Sequence, residues 1–264
     1  MILDQLTTND VESFLQENDP TAVLPIGSTE QHGQHLPLNT DIYLAEQVAQ
    51  AACEEIEAVM LPPFAYGYNE KELMFAGTIS LSAQTLLNVI IDIGHSLARA
   101  GWRRFLIVNG HGWNNDIIRT ATHILNEHQD FTVACCSYWV FGTEAIEKYR
   151  ESQVPGGMAH ACEFETSLMM YLCPDAVRLE NIKDEISYLK SDYHHHDLFH
   201  KSPIFLPERF DKLSSSGVIG TPSLGSAKKG KKWFETIVKN LKNFLIHFRT
   251  MYPAKVTTTL KENS

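Results

Sequence analysis

Arg104-Phe-Leu-Ile-Val108 runs without a break into Asn109-Gly-His111-Gly-Trp113, and the pairing decides the fold class. A short, strongly apolar run that stops at a glycine pair reads as a buried strand delivering polar residues into a loop. Upstream, Ser82 caps a helix that runs to about Arg99. Its apolar Leu86, Leu87, Ile90, Ile91, Leu97 and Ala98 share one face, and Gly101 ends it. Downstream, a second helix runs from about Asn115 to His128. Helix, strand, glycine-rich loop, helix is the repeating unit of an α/β sheet.

The rest of the chain repeats that alternation. Thr8 caps a helix through Asn18, and Ala22 to Ile26 is a buried strand ending at Gly27. Asn39 or Thr40 caps a helix to about Glu57, with Ile42, Ala45, Val48, Ala49 and Ala52 on one face. Ala58 to Leu61 is a strand stopped by Pro62-Pro63, Phe131 to Ser137 is another, and Glu163 to Cys173 is helical. A last helix spans about Lys232 to Met251. The pattern predicts an α/β fold with a mostly parallel central sheet covered on both faces. Ligands collect where the strands of such a sheet end, and the loops after Ile26 and Val108 both begin there. Residues 181–216 carry His194-His195-His196 and Ser214-Ser215-Ser216 and read as a loop or lid. Residues 253–264 read as a flexible tail, and a single domain over 1–264 is expected.

Bulk properties narrow the function. The chain has 264 residues and a formal charge of −10, unlike a nucleic-acid binder with a basic surface. Lys228, Lys229, Lys231 and Lys232 form one basic run, read as a solvated helix start. Cys53, Cys135, Cys136, Cys162 and Cys173 are odd in number and irregular in spacing, so no disulfide framework is expected. No charged-then-apolar leader and no run of about 18 apolar residues is present, so neither a signal peptide nor a membrane span is expected. A cytoplasmic setting follows as the expectation.

Three segments hold metal-ligand residue types: Ser28-Thr-Glu30-Gln-His32-Gly-Gln-His-Leu-Pro-Leu-Asn-Thr-Asp41, Asn109-Gly-His111-Gly, and His160-Ala-Cys-Glu163-Phe-Glu165. A catalytic metal needs deprotonated carboxylates and neutral imidazoles. Glu30 and His32 point to one side of an extended segment. Asp41 sits at a helix start, where the dipole favours a carboxylate, and can either bridge ions or cap the helix. Gly110 and Gly112 flank His111 and would let the backbone pass close to a ligand. Glu163 and Glu165 lie about 200° apart around a helix, so only one can face a given ion. Leu168, Met169 and Leu172 mark the side of Glu165 as inward, leaving Glu163 as a dipole partner or surface residue. His160 precedes that helix as a capping, solvent-facing or proton-handling residue, and His35 is read as structural.

Taken together, the three segments resemble the creatininase family of metal-dependent amidohydrolases. Phe75-Ala-Gly-Thr-Ile-Ser-Leu81 and Gly217-Val-Ile-Gly-Thr-Pro222, with Ala227-Lys-Lys-Gly230, add to the likeness. The resemblance implies a three-layer α/β/α sandwich and two divalent ions, zinc with zinc, manganese or iron. It implies that Glu30 and His111 hold one ion, that His32 and Glu165 hold the other, and that Asp41 bridges them. A metal-bound hydroxide would then attack a carbonyl, with His160 and Glu165 as the catalytic residues. It also implies a homo-oligomer, commonly a hexamer, acting on a small molecule. Creatinine-hydrolysing members carry a glutamate ligand where this chain has Trp113, which turns the expectation toward another small polar ring. Trp113, Tyr68 and Glu72 are the candidate pocket residues, with Tyr66 and the 181–216 segment as further walls. Ring opening of a cyclic polyol ketone is the alternative chemistry. Formamide or peptide hydrolysis, a Cys162 nucleophile and a non-catalytic metal protein rank below it.

Overall fold

A computed structural model describes residues 1–17, 20–127 and 130–251. The expected tail at 253–264 lies outside the described residues, as do Asn18 and His128, the expected ends of two helices. In chain order the elements are α1 (Thr8–Glu17), β1 (Thr21–Ile26), α2 (Thr40–Cys53), β2 (Ala58–Met60), α3 (Ala83–Arg99), β3 (Arg104–Asn109) and α4 (Asn115–Leu125). There follow β4 (Thr132–Ser137), α5 (Thr143–Tyr149), β5 (Met158–His160), α6 (Glu163–Leu172), α7 (Phe210–Leu213), β6 (Ile219–Gly220) and α8 (Ala227–Met251).

β2, β1, β3 and β4 lie side by side in that order, all parallel. The period-two alternation of strand side chains sorts them into two cores. Val23, Leu106 and Val108 face Leu44 and Val48 of α2 and Trp233, Ile237 and Leu241 of α8. Ala22, Leu24, Ile26, Phe105 and Ile107 face Leu86 and Ile90 of α3 and Ile118 and Leu125 of α4. The result is the expected sheet between two helical layers. Each large side chain so buried contributes about 1.5–3 kcal/mol. The pairing of Ile26 with Asn109 ends β1 and β3 at the same level, so the two motif loops leave the sheet as neighbours.

Several local expectations are corrected. The α1 cap is Thr7, whose hydroxyl accepts from the Asp10 N–H while its own N–H donates to the Asp10 carboxylate. α2 stops at Cys53 rather than Glu57, because Glu54 is extended and Glu55 adopts φ 62°. α8 begins at Ala227, ahead of Lys232, so the lysine run lies inside its first turns. Lys229 is not solvated there: its Nζ lies 2.5 Å from carboxylate oxygens of both Glu163 and Glu151. Strands β5 and β6 pair antiparallel and were not anticipated. Being only three and two residues long, they carry no periodic signal. Among the described residues, no helix is long and apolar enough to cross a membrane.

Candidate metal centre

The three motif segments meet above the carboxyl ends of β1 and β3. Two asparagines shape the loops. Asn109 Nδ2 donates to the His111 carbonyl while its Oδ1 accepts the His111 N–H. Asn114 donates to the Gly27 carbonyl and accepts the Tyr68 N–H, fastening three loops together. Gly27 and Gly110 allow the first turn of α2 to press against both loops, because a Cβ at either would collide with backbone of Asp41 or Ile42. Gly112 has open space around it and, like Gly110, borders the cavity beside His111. Gly110 makes room for the chain itself.

Asp41 faces two histidines at once. Its Oδ1 lies 3.0 Å from His32 Nε2, and its Oδ2 lies 2.9 Å from His111 Nδ1. His111 Nδ1 is also 3.2 Å from Glu30 Oε1, and His32 Nε2 is 3.7 Å from Glu165 Oε1. The other ring nitrogens have backbone acceptors: His111 Nε2 is 3.2 Å from the Tyr68 carbonyl and His32 Nδ1 is 3.3 Å from the Glu30 carbonyl. Those bonds orient each ring, so that on losing its inward proton each would offer a lone pair to a cation. Glu165 divides its carboxylate, with Oε2 accepting the Cys162 N–H at 3.1 Å and Oε1 turned toward His32. The capping bond is what aims it.

These residues can hold cations. Glu30, Asp41 and His111 offer ligand atoms within 4.8 Å of one another, and so do His32, Asp41 and Glu165. Both Glu30 oxygens are buried without a hydrogen-bond partner. Three buried carboxylates against two imidazoles leave an excess of negative charge, which in an apolar interior calls for a compensating cation. The protein groups respond in kind: burial pushes His32 and His111 down, but the surrounding carboxylates outweigh it and hold both well above the ordinary imidazole value.

His160 stands beside this group. Its ring lies 4.4 Å from that of His32, and Nδ1 is 3.7 Å from Glu30 Oε1. Nε2 lies 2.8 Å from the Gln31 carbonyl and 3.0 Å from Gln31 Nε2. Burial and then the neighbouring His32 push its pKa below the ordinary value. Ala161, buried between β5 and α6, adopts φ 48°, a left-handed turn that redirects the chain from His160 into the helix. Such a conformation costs a non-glycine residue about 1–2 kcal/mol.

A cavity of about 420 Å³ opens onto Glu30, Asp41, His111, His160 and Glu165. Trp113 lines it, while Tyr68 and Glu72, the other two pocket candidates, do not. Tyr68 contributes its backbone to His111, and Glu72 is fully buried behind Gln31, whose Nε2 donates to it at 3.0 Å. Burial and then the Glu30 charge raise the Glu72 carboxyl well above its ordinary value. Phe205 and Phe210, from the segment expected to form a further wall, also line the cavity, as do Trp139 and Arg119, which no motif surrounds. Residues 194–198 of the expected lid segment line it too.

Three neighbouring residues hold the site from behind. Glu163 is not a surface residue: it is fully buried, accepts the N–H groups of Glu151 and Ser152, and pairs with Lys229. Cys162 is buried with its Sγ on Glu165 Oε2, and burial followed by the Glu165 charge pushes the thiol well above its ordinary value. That environment opposes a nucleophilic thiolate. His35 bonds the Thr166 hydroxyl at 2.9 Å and ties the first motif to α6.

Known proteins resemble this chain in sequence and fold. The creatininase family model, described as creatinine amidohydrolase, matches residues 4–245. Creatinine amidohydrolase of Pseudomonas putida is 30% identical over 91% of this chain and 94% of its own length. A mycofactocin precursor peptide peptidase of Mycobacterium tuberculosis is 32% identical over 86% of this chain and 84% of its own. Solved creatininases in zinc–zinc and manganese forms superpose with TM-scores of 0.80 and 0.81 at 30% and 29% identity, each over 96% of this chain and 98% of the other. The protein belongs to the creatininase family of metal-dependent hydrolases.

Proposed function

We propose that this hydrolase uses two divalent ions to open a small, polar cyclic amide. One observation carries the reading: the two oxygens of Asp41 face different histidines, at 3.0 Å and 2.9 Å. Glu30 and His111 would hold one ion, His32 and Glu165 would hold the other, and Asp41 would serve both. Oxygen and imidazole donors suit zinc, manganese and ferrous iron, and the zinc–zinc and manganese relatives support the first two. When bound, the ions supply Lewis acidity to a carbonyl oxygen and lower the pKa of water.

The chain's own residues do the rest. With its Nε2–H donated to the Gln31 carbonyl, His160 keeps Nδ1 free on the Glu30 side. From there it accepts a proton from the attacking water and returns it to the leaving nitrogen. Trp113 and Phe205, with ring centroids 6.5 Å apart, and Trp139 give the cavity an apolar wall, which strengthens charge interactions beside it. A walled cavity of about 420 Å³ suits a small ring better than a peptide. Trp113, placed where creatinine-hydrolysing relatives carry an acid, favours a ring other than creatinine.

The test is a panel assay on metal-replete protein, covering cyclic amides, a formamidopyrimidine, a cyclic polyol ketone and short peptides. Turnover of a cyclic amide, lost on chelation and restored by zinc or manganese, is expected. Turnover confined to the ketone or to peptides would replace the amide reading, and no turnover with any added metal would remove the catalytic one.

A further inference from the structure

The geometry points to a further cation site, separate from the pair, formed by His194, His196 and Glu208 at the rim of the cavity. Glu208 Oε2 lies 3.0 Å from His194 Nε2 and 3.7 Å from His196 Nε2. The three residues offer ligand atoms within 4.8 Å of one another. Around a tetrahedral zinc with bonds of about 2.0–2.1 Å, donor atoms stand roughly 3.3 Å apart. The two carboxylate–imidazole separations bracket that spacing, and the two imidazoles lie within 4.8 Å of each other, close enough to converge on one cation.

A simple imidazole–carboxylate clamp does not account for the arrangement. It leaves His194 Nδ1 and His196 Nε2 both buried without a hydrogen-bond partner, and His196 Nε2 stands beyond hydrogen-bond reach of Glu208. The two rings meet at 83° with centroids 4.9 Å apart. The His-x-His spacing puts both on one side of an extended chain, while His195 turns away to the His200 carbonyl at 3.1 Å.

Two imidazoles and a carboxylate are a zinc-type ligand set with a position left open. His194 and His196 line the cavity, so the open position faces the space above His160 and Glu165. The ion would also join points 14 residues apart. The segment between them holds no helix or strand and presents Phe205 at the cavity although that ring is 71% exposed. A cation there clamps the wall that covers the site, making access to the cavity depend on zinc.

The test uses full-length wild type, Glu208→Gln and the His194→Ala/His196→Ala double variant. Each is dialysed to equilibrium against zinc, with zinc per chain counted by inductively coupled plasma mass spectrometry. Wild type should hold one zinc more than either variant. Zinc should also slow tryptic cleavage after Lys201 at least about tenfold in wild type and leave both variants unprotected. Equal zinc counts in all three proteins would overturn the site. So would a Glu208→Gln variant that keeps the wild-type count while the double variant loses all zinc, since that pattern means misfolding rather than a lost ligand set. Glu30→Gln separates this site from the buried pair: it should lose zinc there and keep the zinc-dependent protection of Lys201.

Discussion

The carbonyl oxygen of Asp41 packs against Gly110 with no space for a Cβ between them. This contact sets how closely the turn bearing Asp41 approaches the loop bearing His111. Gly110→Ala should therefore push α2 from the sheet edge at a cost of about 1–3 kcal/mol. Activity should fall further, roughly a hundredfold, because a misplacement of about 1 Å is enough to do so. Gly112→Ala, with open space around it, is the stability control and should unfold like wild type in urea. Urea unfolding and steady-state kinetics on the folded variants check both outcomes.

Glu30→Gln keeps the shape of a side chain whose oxygens are both buried without hydrogen-bond partners. Turnover should fall at least about a hundredfold, as for loss of a residue that sets metal affinity. The metal-free variant should melt at or above the temperature of metal-free wild type, because an uncompensated buried charge has been removed. A lower melting temperature for the metal-free variant would mean that Glu30 is stabilised by the protein alone.

Arg150 holds Asp197 through two bonds, at 3.1 Å and 2.6 Å, with the two side chains 1% and 0% exposed. Asp197 also accepts the Gly156 and Phe199 N–H groups and lines the cavity. Arg150→Met leaves that carboxylate buried and unpaired, so it should cost about 3–5 kcal/mol in urea unfolding. Replacing both residues by apolar ones should cost less than Arg150→Met alone. Equal losses would mean that the arginine acts by packing.

Glu185 gathers the 214–216 serines. It accepts the N–H groups of Ser215 and Ser216 and the hydroxyls of Ser187, Ser214, Ser215 and Ser216. Burial raises its pKa, but the Ser215 and Ser216 bonds outweigh that and hold it far below the ordinary carboxylate value. A lowered folded pKa gives stability that is present above the unfolded value of about 4.3 and fades as pH falls below it. The melting-temperature gap between wild type and Glu185→Gln should be full at pH 7 and narrow below about pH 4. A gap that does not change with pH would assign the effect to shape rather than charge.

The sequence reveals this fold where periodicity is strong. Arg104 to Val108 and the Leu86–Ile90 face are long or apolar enough to declare their elements, and both lie where expected. Glu165 could be chosen over Glu163 from helical spacing, because Leu168 and Met169 mark the buried side. Glu163 is the first-turn acid that the spacing allowed, but its burial depends on Lys229, a partner 66 residues away that no local pattern reveals. The cavity wall was mostly hidden for the same reason. Trp139 and Phe205 reach the site through tertiary packing, and His194 and His196 were visible as a tract but not as partners of Glu208. Gly110 stood out in its motif, but the reason for it, the Asp41 backbone pressing on it, comes from tertiary packing that no local pattern reveals.

The two-ion centre is tested most directly by anomalous scattering at the zinc edge from a zinc-replete crystal. The account predicts two peaks flanking the Asp41 carboxylate, about 3.5–4 Å apart. One should lie against Glu30 and His111 and the other against His32 and Glu165. A single peak at Asp41, or none, would contradict it.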